Sequence, residues 1–363
     1  MDVLALAEEL LALPTAPFVE DLPAAYALRH AEATPGVTGE RDAAGNVVLR
    51  AGPVDSPHPT LVLVAHLDHP GFAVDDVDGS TVTLTFRGGL AAEAAQPGTP
   101  VDLFERGCVE ATGRARLRSP EEDGGRLTGA SAEVEDGEPV EGGFAMWAFP
   151  ELGDAGVRID DGRIVGRVCD DLAGAAAVLR AVGLAAEADA QPVIGLLTRA
   201  EEVGLLGALE AARLGTVPPD ALVLSLECSK ALPTAPQGAG VVVRVGDRAT
   251  IFDPGFTAEL CRRAAAVDGL RWQRKLMDGG VCEASAFGAA GWRTGGLALP
   301  LGNYHNAADD GSGIAPEHVL TDDLLAEVGL LEALVVEPIE LGAGPPAWLA
   351  DRAVAARAAL GSG

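Results

Sequence analysis

Two textures of hydrophobic patterning divide the chain. In the first, Val3, Leu4, Leu6, Leu10, Leu11 and Leu13 recur at helical spacing over residues 2–13 and stop at Pro14. A second helix is predicted over 22–34, a turn at Asp42–Asn46, and a short strand at Val47–Arg50. Thr60–Ala65 is an almost unbroken β-prone apolar run, the pattern of a central strand covered on both faces, and it ends on His66-Leu67-Asp68. From about Ala73 the second texture begins: short alternating strands at Thr81–Phe86, Val101–Phe104, Cys108–Thr112 and Ala115–Arg118, with Gly, Pro and acidic turns between them and a closing turn at Asp160–Gly162. No helical periodicity intervenes, so this stretch predicts a small β-rich domain.

The first texture then resumes. Leu172, Ala176, Leu179 and Val182 share one helical face just after Asp170-Asp171. The apolar run Val193–Thr198 leads into Glu201-Glu202 and a helix through Leu205, Leu206, Leu209 and Ala212, and Ala221–Leu226 is a further buried strand ending on Glu227. Helices are predicted at 256–268, 282–290 and 322–336, a tight turn at Asp278–Gly280, and a last strand at Thr294–Leu299 that leads to His305. Alternating strands and helices of this kind make a mostly parallel sheet. The predicted fold is therefore α/β: a mostly parallel catalytic domain at 1–72 and 165–340, an inserted β-rich domain at 73–164, and a tail at 341–363 in which Pro345-Pro346 and an Ala/Arg-rich helix pack outside the core. No internal repeat is evident.

A length of 363 residues suits about two domains, and 48% hydrophobic content removes any shortage of core material. The net charge of −28, with Lys230 and Lys275 as the only lysines, leaves no basic stripe for phosphates and argues against nucleic-acid binding. The acidity reads as a solvated surface. Cys108, Cys169, Cys228, Cys261 and Cys282 are odd in number, widely spaced and without a Cys-x-x-Cys, so neither a disulfide framework nor a thiolate zinc site is indicated. The first residues are acidic where a signal peptide needs bases, and no apolar run reaches membrane length; a cytoplasmic protein without membrane partners is expected.

The polar residues that follow the apolar strands carry the chemistry. His66, Asp68, Asp170, Glu201, Glu202, Glu227 and His305 each terminate a strand or open a helix, and a parallel sheet collects such positions along one edge, where α/β proteins bind ligands. Each alone has a plain structural reading: a turn histidine, a helix N-cap at Asp170-Asp171, a solvated first turn at Glu201-Glu202, an arginine-paired Glu227. Together they make the inventory of a two-metal hydrolase. Asp170 can bridge two ions, His66 and Glu227 can hold one, and Glu202 and His305 the other. Glu201 then stays free as general base toward a bridging water, and Asp68 can fix the His66 imidazole.

Ala65–Asp68, Asp170–Gly174, Glu201–Leu205 and Tyr304-His305 resemble, in order and spacing, the co-catalytic metallo-aminopeptidases of the M42 type, which share a clan with the M20 and M28 peptidases. The resemblance implies a Zn²⁺ or Co²⁺ pair, the ligand roles above, a cis peptide after Asp170, and an insert that joins copies into a homo-oligomer. The chain departs from the pattern with Glu at 227, where M42 enzymes usually carry Asp, and with His69 after the His-x-Asp. Gly279–Ser285 resembles the family's glycine-rich substrate loop and makes Glu283 a candidate for holding a substrate ammonium.

The function expected is a two-metal aminopeptidase that removes N-terminal residues from short peptides. The alternatives are an M20-like amidohydrolase, acting as carboxypeptidase or deacylase on N-acyl amino acids, and a non-catalytic oligomeric scaffold of the same fold. An arginine in the pocket would favour the amidohydrolase, a carboxylate such as Glu283 the aminopeptidase.

Overall fold

The structure, a computed structural model, describes residues 2–153, 155–341 and 347–361. A nine-stranded sheet forms its centre, with strands in the spatial order Thr38–Arg41, Val47–Ala51, Val193–Thr198, Leu61–His66, Leu222–Ser225, Arg293–Leu301, Val241–Arg244 and Trp272–Lys275, and Cys228–Lys230 paired beside Arg293–Leu301. Leu61–His66, Val193–Thr198, Leu222–Ser225 and Arg293–Leu301 are mutually parallel. Their carboxyl ends consequently lie on one edge.

Burial on both faces explains the unbroken apolar runs. Successive side chains of Leu61–His66 point to opposite faces: Leu61, Leu63 and Ala65 join the core under the helices Val3–Leu11, Leu172–Ala188 and Thr321–Val335, whereas Val62 and Val64 pack with Ala208, Ala211 and Phe287 from Leu206–Leu214 and Glu283–Ala289. The helix Leu172–Ala188 can sit close against the sheet because its buried face is mostly Ala and Gly.

The alternating texture folds as a closed barrel of six strands, Gly71–Asp78, Thr81–Arg87, Arg126–Gly137, Gly113–Asp123, Pro100–Phe104 and Phe144–Trp147 in that spatial order. It has its own core around Phe72, Phe86 and Trp147, whose rings meet at 4.9 and 5.0 Å from Phe72. Closure leaves no free sheet edge. Cys108–Thr112, expected as a strand, is instead part of the loop after Phe104, turned at Gly107 with φ 79°, and the following strand starts at Gly113. Val157–Asp160 and Arg163–Gly166 do not join the barrel; they form a three-stranded sheet with Glu317–Leu320. The sequence pattern also missed Val241–Arg244 and Trp272–Lys275, which extend the sheet beyond Arg293–Leu301.

Pro345-Pro346 lie outside the described residues, and the helix Ala347–Leu360 carries Leu349 and Val354 exposed. All five cysteines are free thiols. No helix among the described residues is long and apolar enough to cross a membrane.

Candidate active site

The parallel strands deliver their polar ends to one cluster. His66 closes its strand and is buried, with Nε2 3.4 Å from Asp170 Oδ1 and 4.0 Å from Glu227 Oε2. His305 Nε2 lies 3.6 Å from the other Asp170 oxygen and 3.1 Å from Glu202 Oε1. Among the described residues four groups have ligand atoms within 4.8 Å of one another: His66–Asp170–Glu227 and Asp170–Glu202–His305, which share Asp170, and also His66–Glu201–Glu202 and Asp170–Asp171–Cys228. The peptide between Asp170 and Asp171 is cis.

The donors fit divalent cations. Asp170 Oδ1 and Glu227 Oε1 are buried without a hydrogen-bond partner, a costly arrangement for carboxylates unless a cation compensates them. Imidazole and carboxylate donors are those of zinc-type co-catalytic sites. Each histidine is aimed through its other nitrogen: His66 Nδ1 donates to the Asp68 carbonyl at 3.1 Å and His305 Nδ1 to the Gly89 carbonyl at 2.6 Å. Gly89 follows the barrel strand Thr81–Arg87, so the insert orients one site histidine.

Asp68 meets the His66 imidazole through its backbone carbonyl, and its carboxylate has a further role. The carboxylate stands 3.7 Å from His66 Nδ1 and accepts the backbone N–H of Glu201 at 2.9 Å and of Glu202 at 3.1 Å. Two more acceptors extend the row: Asn46 Oδ1 receives Arg199 N at 3.1 Å, and the buried Glu20 receives Ala200 N at 3.0 Å. Four consecutive amides are thus held by side chains from three separate segments, across Ala200 at φ 53°. This positions Glu201-Glu202 as a turn preceding the helix Leu206–Leu214, not as its solvated first turn. Glu20 and Asn46 gave no signal in the sequence.

The two adjacent carboxyls differ. Burial pushes Glu201 well above the usual carboxylate range, partly offset by His66. Burial also opposes ionisation of Glu202, but the neighbouring His305 draws it down to about 2. His305 rises in turn to about 9 against its own burial, through Glu202 and Asp170. Glu227 is pushed up, chiefly by burial.

Glu283, the candidate for a substrate ammonium, is fully buried, and its two oxygens accept from Thr198 Oγ1 at 2.6 Å and Ser225 Oγ at 3.2 Å. His69 is likewise buried rather than open to a pocket.

Beside Glu227 opens a cavity of about 200 Å³ lined by Lys230, Arg244, Met277, Gly279, Cys282 and Tyr304, among others. Arg244 is only 3% exposed. Its Nε has no hydrogen-bond partner, no ion pair engages it among the described residues, and the Phe252 ring lies 5.9 Å from its guanidinium carbon. Arg244 is thus a buried guanidinium without a close ion-pair partner among the described residues, in the field of Glu227 and Asp247.

Comparison with known proteins agrees with this geometry. The family model of M42 glutamyl aminopeptidases matches residues 151–310. No curated protein matches the chain in sequence. Among solved structures, the TET1 peptidase of Pyrococcus horikoshii, described as assembling into a tetrahedron or a large octahedral shell, is 20% identical, with a TM-score of 0.74 over 93% of this chain and 100% of that one. The TET aminopeptidase of a marine sediment archaeon, Thaumarchaeota archaeon SCGC AB-539-E09, is 19% identical, with a TM-score of 0.75 over 92% and 95%. The aminopeptidase APDkam598 of Desulfurococcus kamchatkensis is 19% identical, with a TM-score of 0.74 over 91% and 93%.

Proposed function

From a chain that carries the M42 glutamyl aminopeptidase pattern over residues 151–310 on the fold of the TET peptidases, we infer a metal-dependent aminopeptidase that acts on short peptides with an acidic first residue. The single observation that carries the chemistry is the shared Asp170, with one buried oxygen toward each histidine. His66, Asp170 and Glu227 would hold one divalent ion and Asp170, Glu202 and His305 the second, zinc or cobalt. Bound there, the ions would polarise the scissile carbonyl and acidify a water.

Glu201 belongs to neither shared-aspartate set, and its raised proton affinity suits a group that takes a proton from the attacking water and returns it to the leaving amine. Asp68 holds that turn in place through the two backbone amides. Arg244, with Lys230 at the same cavity, supports recognition of a side-chain carboxylate. We further propose that the barrel joins copies of the chain into a homo-oligomer, as the assembling relatives suggest.

Arg244 also keeps a second reading in view, an M20-like amidohydrolase whose arginine would bind a substrate α-carboxylate. Turnover of α-glutamyl, α-aspartyl and leucyl anilides and of N-acetyl amino acids, each with Zn²⁺ or Co²⁺, separates the two. Preference for α-glutamyl anilide supports the aminopeptidase. Hydrolysis confined to the N-acetyl series would overturn it.

A further inference from the structure

The segment carrying His305 is backbone that a free chain avoids: Asn303, His305 and Asn306 have φ of 54°, 55° and 61°. Left-handed non-glycine residues persist only where surrounding contacts over-determine them. Those contacts come from three buried side chains outside the two ligand sets. Glu317 Oε1 accepts His305 N at 2.8 Å, while Oε2 accepts Cys169 N at 2.8 Å and Asp170 N at 3.0 Å. One carboxylate therefore ties the backbones of Asp170 and His305, which are far apart in sequence.

A second tie runs beside it. His69 Nδ1 lies 2.7 Å from the Asp170 carbonyl and Nε2 2.9 Å from Asn306 Oδ1, both at hydrogen-bonding distance. The Asn306 amide is oriented by its Nδ2, which donates to the carbonyls of Arg167 at 3.1 Å and Ala315 at 3.4 Å. Asn306 adjoins His305, so the imidazole of His69 spans the same two ligands as Glu317. Glu317, His69 and Asn306 are each 0% exposed.

We propose that Glu317, His69 and Asn306 form a positioning network that fixes Asp170 against His305 and so builds the site of the second ion, the one completed by Glu202. The inference rests on the two-metal reading. It makes these residues determinants of ion affinity, the second ion's above all because both Asp170 and His305 are held, and not of substrate binding. The first ion's other ligands, His66 and Glu227, stand on separate strand ends that the network does not touch.

The test is a Co²⁺ titration of the full chain, followed by visible absorption and equilibrium dialysis, for the wild type, Glu317→Gln and His69→Ala. Glu317→Gln keeps the shape but turns one acceptor oxygen into an amide NH₂ donor facing backbone N–H donors. Loss of a hydrogen bond behind a metal ligand typically weakens binding 10- to 100-fold. Each variant is expected to hold its second ion about 10- to 100-fold more weakly, and its first ion, which also uses Asp170, with a smaller loss, with kcat recovered by excess Co²⁺ and KM unchanged. A second-ion Kd within about twofold of wild type in a folded variant would overturn the proposal. Should Glu317→Gln fail to fold, His69→Ala decides alone on the same criterion. A wild type that takes up fewer than two ions would overturn the two-metal reading, and the network's role with it, before any variant is compared.

Discussion

Two acid-rich regions of this molecule use the same side chains in opposite ways. On the barrel, Arg116 meets Glu135 at 2.6 Å with both side chains near half exposed, and Arg118 meets Glu133 at 2.8 Å. At the sheet edge, Asp170 Oδ1, Glu227 Oε1 and both oxygens of Asp171 are buried without a partner. The barrel acids are neutralised by water and arginine. The unpartnered sheet-edge oxygens of Asp170 and Glu227 belong to groups that could hold a metal ion. A net charge of −28 thus combines a surface property with a site property, and burial tells them apart.

The comparison can be broken at its strongest point first. Glu201→Gln is expected to lower kcat by about 10²- to 10⁴-fold while both ions stay bound, as steady-state kinetics with parallel metal analysis would show. Removing the ions should come next in size. Chelation is expected to lower Tm, and restoring Zn²⁺ at about 100 times its Kd to return roughly 2.7 kcal/mol, read by calorimetry. A barrel-like site of self-neutralised acids would show no such dependence.

A buried acid away from the site sharpens the contrast. Glu327 has no partner at either oxygen, and burial raises it from 4.5 to about 8. The folded state therefore holds a proton that the unfolded state has released, so stability declines as pH rises above about 4.5 and flattens above about 8. Glu327→Gln should abolish that decline, raising Tm by ~2 °C or more at pH 9 and by nothing near pH 4.5 in melts across pH. The smallest effect belongs to the barrel: Arg116→Ala is expected to cost under about 1 kcal/mol in denaturant unfolding, and less at high salt.

The distribution of what was legible follows from the same physics. Unbroken apolar runs revealed Leu61–His66, Val193–Thr198 and Leu222–Ser225, because burial on both faces leaves a mark on every residue, and the polar residue after each run was visible by contrast. Alternation revealed three of the six barrel strands, Thr81–Arg87, Pro100–Phe104 and Gly113–Asp123, missed Gly71–Asp78, Arg126–Gly137 and Phe144–Trp147, and wrongly marked the loop at Cys108–Thr112, where Val109 and Ala111 mimic the pattern without a partner strand. Glu20, Glu317, Asn306 and Arg244 were invisible. Each is a single polar residue whose burial depends on contacts with distant segments, and nothing in its local sequence distinguishes it from a surface residue. The burial of Glu283 was hidden for a related reason: its motif marked the neighbourhood of the site, while the hydrogen bonds it accepts come from Thr198 and Ser225, on other strands.

The central claim is that Asp170 is shared by two ions while Glu201 remains uncoordinated. Anomalous diffraction from crystals grown with Zn²⁺ measures this directly. The expected result is two peaks about 3.5–4 Å apart, one against His66 and Glu227, the other against Glu202 and His305, with Asp170 between them. A single peak, or an ion coordinated by Glu201, would contradict it.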